Sequence, residues 1–338
     1  MFTSNVGKVF KGESIGEVFL KVRSSMLNKG IAKVVPTRLV PTLELLNPTI
    51  IITDPTQRLF YSEHRAYNLI YNIVEAYMLF NSSNQVKPFA EFNKKIMDYS
   101  DDKVTLNSAY GQYLAKHIHE IVKKLRYDTD TRQAVLNIYT TEYGLSDTKD
   151  VPCTLNLHFL IRDGALNLTV YMRSNDLFWG FQYDVFMFTV MQEIVAKELG
   201  LPVGIYTHCP TSLHVYEYHW KMLRKINANN LVKTPSFNFD SDVSGAASAS
   251  NLIVQLCESE QAGLKIVEAL KKVSVSKYLP IHLVLLEYLY KHHQNLFKEL
   301  TADLKLQNGW FAPFTKRWLL NDSPITCASA RPDAHVRA

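Results

Sequence analysis

Three short stretches of this 338-residue chain hold side chains that could do chemistry together. The first is Val151-Pro152-Cys153-Thr154, with a thiol directly after a proline. The second runs from Tyr171 to Asp184 and carries Arg173, Ser174, Asp176 and Asp184. The third is Ser212-Leu213-His214-Val215-Tyr216. A thiolate is a strong nucleophile, and a nearby cation lowers the pKa of its thiol. An Arg fork donates two hydrogen bonds to one phosphate. His214 and Tyr216 stand two apart, so on a strand they face the same side. Singly, each has a plainer structural reading. Cys153 then fills a small apolar site, Arg173 pairs with Asp176, and the His214 side is core. It is the set, in this order, that points to chemistry.

Elements must position these residues. An Asp163-Gly164 pair between apolar runs at 155–162 and 166–173 predicts a hairpin. The second stretch begins in the same hairpin unit that follows Cys153. Apolar residues over 184–199, closed by Gly200, predict a long helix, and 204–216 predicts a strand. Upstream, a helix is expected near 15–27, a strand within 42–53, a helix over 62–80 capped by Ser62, another over 111–126, and a strand at 135–141. A further helix is expected over 217–226. Residues 227–251 are rich in Asn, Ser, Ala and Gly and predict a linker or mobile loop. Two helical stretches, 252–272 and 278–306, follow. The expected organisation is a catalytic α+β domain over 1–226, the linker, a helical extension over 252–322 and a disordered tail at 323–338.

Composition narrows the class. With 47% hydrophobic residues and 13 each of Gly and Pro, the chain is neither disordered nor fibrous. Its 4 Cys are too few for a disulfide scaffold and fit a reducing compartment. A net charge of +5 with short basic runs argues against direct nucleic-acid binding and suits a small phosphorylated ligand. The first residues carry no apolar signal core, and no run approaches the roughly 18 apolar residues of a membrane span. A soluble cytoplasmic protein is expected. His117 and His119, and His292-His293, lack the companions of a zinc site, so no metal is expected. Cys209 beside His208 makes a poor dyad, because neighbours on a strand face opposite ways.

Taken together, the three stretches resemble the thymidylate synthase family, with its Pro-Cys nucleophile, Arg-Ser-x-Asp-x-Phe-x-Gly segment and His-x-Tyr pair. The likeness extends to Thr37-Arg38, to Glu75 in an apolar helix, to Ala109-Tyr110-Gly111 and to Asp128-Thr129-Asp130-Thr131-Arg132. It covers about residues 31–222 and fades beyond about 226. The resemblance implies a thymidylate synthase-like α+β fold, a mixed sheet with packed helices, here with a helical C-terminal extension. It implies Cys153 as nucleophile toward carbon 6 of a pyrimidine, with carbon 5 taking a one-carbon unit from 5,10-methylenetetrahydrofolate. Arg38, Arg173, Ser174 and Arg132 would bind the nucleotide phosphate, with Arg132 given across a homodimer. His214 and Tyr216 would hold the sugar. Glu75 and Tyr110 would manage protons through water. Asp176, with Glu75, would serve the folate.

Four departures bear on the reaction. Asp184 stands where the family reads uracil with Asn. Cytosine presents an amino donor that a carboxylate accepts, whereas an ionised Asp facing uracil O4 sets acceptor against acceptor, at about 1–3 kcal/mol or more. Asp184 therefore points to deoxycytidylate, unless it merely caps the helix beginning near Val185. Between Glu75 and Tyr110 the family's Trp is missing, and Phe80, Phe89 and Phe92 stand there instead. Water rather than hydride would then finish the reaction, giving a hydroxymethyl group. Thr154 replaces a His, and Gln133 a second Arg. The expected activity is 5-hydroxymethylation of dCMP, typical of bacteriophages and set in host cytoplasm. The alternatives are hydroxymethylation or methylation of dUMP, hydroxymethylation of CMP, and a catalytically dead nucleotide-binding relative.

Overall fold

The structure is a computed structural model that describes residues 4–37, 40–234, 236–258 and 280–301. Strands β1 (Val9–Gly12), β2 (Lys33–Val35), β3 (Thr42–Leu46), β4 (Thr49–Ile52), β6 (Val135–Asn137), β7 (Thr154–Arg162), β8 (Ala165–Asp176) and β9 (Val203–Tyr216) form one mixed sheet. A small second sheet pairs β5 (Phe60–Tyr61) with β10 (Val232–Lys233). The helices are α1 (Ile15–Leu27), α2 (Leu69–Met78), α3 (Lys87–Phe92), α4 (Gly111–Leu114), α5 (Ile118–Tyr127), α6 (Thr141–Leu145), α7 (Gly180–Leu199), α8 (Glu217–Lys225), α9 (Val243–Glu258), α10 (Pro280–His292) and α11 (Gln294–Thr301).

The predicted hairpin is β7–β8. Asp163 (φ 53°) and Gly164 (φ 71°) both take the left-handed conformation that a two-residue hairpin turn demands. Strand β8 then runs parallel to β9, with α7 as the crossover. The alternating residues Leu166, Leu168, Val170 and Met172 of β8 are buried, and α7 packs on that strand. Most of α7 is itself buried, which its nearly continuous apolar sequence requires. It stops at Gly200, whose φ of 70° is cheap only for glycine. The core therefore lies between the sheet and α7, with α2 packed against α7.

Several expectations need correction. The run 42–53 is two strands, broken at Asn47 (φ 49°). The helix expected over 62–80 begins only at Leu69, with Asn68 capping it through the N–H of Tyr71. Ser62 caps nothing there. It forms a bridge with Arg65, whose buried guanidinium donates to the Phe178 and Trp179 carbonyls and to Gln182. That tertiary anchor holds 62–68 out of the helix. The stretch 111–126 is two helices, and the strand expected over 135–141 ends at Asn137. Residues 227–251 are not a linker. They pair in β10, bury Phe237 and Phe239, and begin α9, whose small residues Ala246 and Ser250 pack without exposure. The final helical stretch breaks at His293. Residues 259–279 and 302–338, with most of the expected extension and all of the tail, lie outside the described residues. Among the described residues no helix is long and apolar enough to cross a membrane.

Candidate active site

Cys153 sits one residue before β7, half-buried against the core. Its carbonyl accepts from the backbone N–H of Arg173 at 2.9 Å. The Arg173 guanidinium turns back on the same loop, donating from Nε to Pro152 O (2.9 Å) and from Nη2 to Val151 O (2.8 Å). Burial pushes the Cys153 thiol up, Arg173 pulls it down, and Asp184 and Asp150 push it up again, the balance lying above its ordinary value. The sequence predicted only the lowering by Arg173. Desolvation outweighs it in the free protein.

Cys153 does not itself line the nearest described cavity, of about 110 Å³, but it acts by charge on two residues that do, Tyr110 and Asp184. Glu75, Tyr110 and Asp184 line it together with Tyr71, Phe89, Leu106 and neighbouring apolar side chains. Burial pushes Glu75 up to about 8, with a hydrogen bond from Tyr71 pulling down and Asp184 pushing further up. Glu75 is therefore protonated at neutral pH and can donate. Burial also pushes the Tyr110 phenol up, reinforced by Cys153 and Asp184. The hydroxyl of Tyr110 accepts from the Thr154 N–H at 3.4 Å, which ties it to the residue after the thiol. Gly111 follows because nothing larger fits. A Cβ there would stand 2.0 Å from the Met78 carbonyl and 2.1 Å from that of Asn81.

Asp184 is not a helix cap. Helix α7 begins four residues earlier at Gly180, so Asp184 lies within its first turns and faces the cavity. Burial pushes its carboxyl up to about 7, Asn175 pulling down and Asp176 pushing up. Asn175 donates from Nδ2 to Asp184 Oδ2 at 2.7 Å. Its own Oδ1 is 3.0 Å from His208 Nε2, and His208 Nδ1 is 3.0 Å from the Tyr206 hydroxyl. Sequence reading missed these three residues. For Tyr206 and His208 the signal was present in strand alternation, since both fall on the buried side of β9, whereas Asn175 breaks the even-numbered alternation of buried residues in β8 and carried no such signal.

The remaining expected residues divide. Ser174 is the register partner of Ser212, and Asp176 of His214, so β8 and β9 bring that pair together. Burial pushes the Asp176 carboxyl up, His214 pulling it down, and the Phe178 N–H donates to its Oδ1 at 2.9 Å. Burial pushes His214 down, against Asp176 and Glu44. The ring of His214 meets that of Tyr216 edge-on at 4.9 Å. Phe80, Phe89 and Phe92 are all buried, and Phe89 faces the cavity. Arg132 is exposed, its carbonyl 3.0 Å from His158 Nε2, and among the described residues it makes no contact with the cavity. Arg38 lies outside the described residues. Among the described residues no three His, Cys, Asp or Glu side chains gather as metal ligands.

A mixed sheet packed on one long buried helix, with Glu75, Tyr110 and Asp184 lining one cavity, defines an α+β class of protein. The fold resembles that of the thermostable thymidylate synthase A from Bacillus subtilis, with a TM-score of 0.54 at 19% identity over 63% of this chain and 85% of that one. The thymidylate synthase family profile matches residues 62–255, and the chain belongs to that family. It is 31% identical over 225 residues to a deoxyuridylate hydroxymethyltransferase of Bacillus phage SP01, covering 61% of this chain and 58% of the relative. It is 32% identical over 177 residues to one of Pseudomonas phage M6, covering 50% of each. A putative thymidylate synthase of Methanocaldococcus jannaschii is 28% identical over 216 residues, 61% of this chain and 89% of that protein. The chain thus spans about half the length of the phage relatives it matches.

Proposed function

We propose that this chain hydroxymethylates carbon 5 of a pyrimidine deoxynucleotide monophosphate, with deoxyuridylate the first substrate to test. The observation that carries the reading is the convergence of Glu75, Tyr110 and Asp184 on one cavity, with Cys153 close enough for its charge to act on Tyr110 and Asp184. The named activity of the phage relatives supports the uracil base. The raised carboxyl of Asp184 is compatible with that base without selecting it. A protonated carboxyl accepts from N3–H with one oxygen and donates to O4 with the other. The mismatch that an ionised Asp184 would impose on uracil then disappears.

In this reading the Cys153 thiolate adds to carbon 6, and carbon 5 becomes a nucleophile. The bound phosphate of the nucleotide adds negative charge, which Arg173 and Ser174 meet, with Arg38 and, across a dimer, Arg132. His214 and Tyr216 hold the sugar. The cavity wall, largely apolar with a few polar groups, fits a flat heteroaromatic ring. 5,10-Methylenetetrahydrofolate would supply the one-carbon unit, with Asp176 and Glu75 holding it. Glu75, protonated, donates toward the base and takes the proton back through water. Carbon 5 bonds to the new carbon and loses its hydrogen as a proton, and that carbon's remaining bond to nitrogen would break with tetrahydrofolate as the leaving group, so that an exocyclic methylene remains on the ring. Water then adds to the exocyclic carbon as the sulfur–carbon 6 bond breaks, leaving the hydroxymethyl group.

Incubation with methylenetetrahydrofolate and dUMP, dCMP or CMP, read by product mass, tests the reading. Hydroxymethyl-dUMP without dihydrofolate is expected. Dihydrofolate formation would show methylation instead. Turnover of dCMP alone would favour the second reading, deoxycytidylate, which the carboxyl at Asp184 also supports. Tritium release from carbon 5 separates either enzyme from a binding protein, and Cys153→Ala should abolish it.

A further inference from the structure

Behind Asp184 runs a chain of buried hydrogen bonds that no catalytic step uses. Tyr206 and His208 have no exposed surface, and Asn175 is 4% exposed. Burial pushes His208 down to about 3, so its ring is neutral, with one nitrogen donating and the other accepting. Asn175 turns Nδ2 to Asp184 and Oδ1 to His208. An amide oxygen only accepts, so His208 Nε2 carries the hydrogen. His208 Nδ1 must then accept from the Tyr206 hydroxyl. Every bond in the chain points the same way, and the last one ends on Asp184 Oδ2. That oxygen is held as an acceptor, which leaves Oδ1 to carry the proton when the carboxyl is neutral.

We infer that Asn175 is a positioning residue for base selection: it fixes the proton of Asp184 on Oδ1 and so gives the carboxyl a one-way donor–acceptor pattern. The inference rests on the reading of Asp184 as the side chain that meets the base. A carboxyl whose proton can sit on either oxygen matches uracil and cytosine alike. One with a fixed proton matches a single base in a given seating, because the two bases present reversed edges. The wrong base then meets donor with donor or acceptor with acceptor, at a cost of about ten- to a hundredfold in affinity. Gly180 protects this arrangement, since a Cβ there would stand 3.0 Å from Asn175 Nδ2 and 3.4 Å from Asp184 Oδ2. The other groups acting on Asp184 are Asp176 of β8, Glu75 of α2, Tyr110 before α4, Cys153 before β7 and Tyr206 of β9.

The test is the ratio of kcat/KM for dUMP and dCMP with methylenetetrahydrofolate, in wild type and in Asn175→Leu. Leu keeps the volume and loses the donor. The ratio is expected to fall toward one by about tenfold or more, through a gain on the disfavoured base. Equal loss on both bases with the ratio unchanged would make Asn175 merely structural and overturn the inference. Should Asn175→Leu fail to fold, Asn175→Ser, too short to reach Asp184, is read in the same way. Wild-type protein that turns over neither nucleotide would sink the underlying functional reading, and this inference with it.

Discussion

Arg173 and Cys153 are joined through the backbone as well as by charge. The N–H of Arg173 donates to the Cys153 carbonyl at 2.9 Å, while its guanidinium binds the carbonyls of the two residues before the thiol. The cation is thus held beside the sulfur before any substrate arrives. Arg173→Met keeps much of the side-chain volume and removes the charge. The thiol then loses the influence that pulls it down, and burial, with Asp184 and Asp150, pushes it up unopposed. The pH midpoint of iodoacetamide alkylation at Cys153 should move up, and alkylation at about pH 8 should slow several-fold. A midpoint that stays put would mean that Arg173 serves only the loop.

Glu75 is held near 8 and so is mostly protonated at neutral pH. Glu75→Gln preserves shape and hydrogen bonding to Tyr71 but cannot exchange a proton. Turnover should fall by about 10²–10⁴, while nucleotide affinity stays within a few-fold. Rapid-quench turnover and equilibrium dialysis measure the two separately. Loss of both in parallel would assign Glu75 to binding.

The two raised carboxyls set a pH dependence of stability. Asp184 rises from 3.8 to about 7 and Glu75 from 4.5 to about 8. Between about pH 4 and 8 the folded chain therefore holds more protons than the unfolded chain, and stability falls as pH rises through that window. The contribution is complete below about pH 4 and gone above about pH 8. Asp184→Asn removes one titration. The Tm of this variant relative to wild type should climb steadily as the buffer goes from about pH 5 to about pH 7. A constant offset across that range would contradict the burial assigned to Asp184.

Strong local signals read through to the structure, and tertiary ones did not. The Asp163-Gly164 turn, Gly200 and the long apolar runs of α7, β8 and β9 marked the hairpin, helix and strand that carry Arg173, Asp184 and His214, whereas the parallel register that pairs Asp176 with His214 emerged only in the fold. Helix α2 was misplaced at its start because a buried contact of Arg65 with the turn before α7 overrides local propensity. Residues 227–251 looked like a linker by composition, yet Phe237 and Phe239 fill the core beside Phe186 and Tyr77. The hydrogen-bond chain from Tyr206 to Asp184 depends on the His208–Asn175 link between β9 and β8, which local spacing could not assemble. The rise of Cys153, Glu75 and Asp184 was hidden for a similar reason, since burial depends on what closes over a residue.

Gly111 tests how tightly the site depends on its frame. It starts α4 where the end of α2 turns, against the carbonyls of Met78 and Asn81. Both obstacles are backbone atoms, so a methyl group at 111 cannot be accommodated by turning a side chain. Gly111→Ala must push α4 away from α2, and the preceding residue is Tyr110, whose hydroxyl meets the N–H of Thr154. Overpacking of this kind costs about 1–3 kcal/mol or more, so a clearly lowered Tm is expected. Displacement of Tyr110 should also reduce carbon 5 tritium release per folded molecule, measured well below the new Tm. A variant that loses stability but keeps full exchange would show that Tyr110 is not part of the proton-handling machinery.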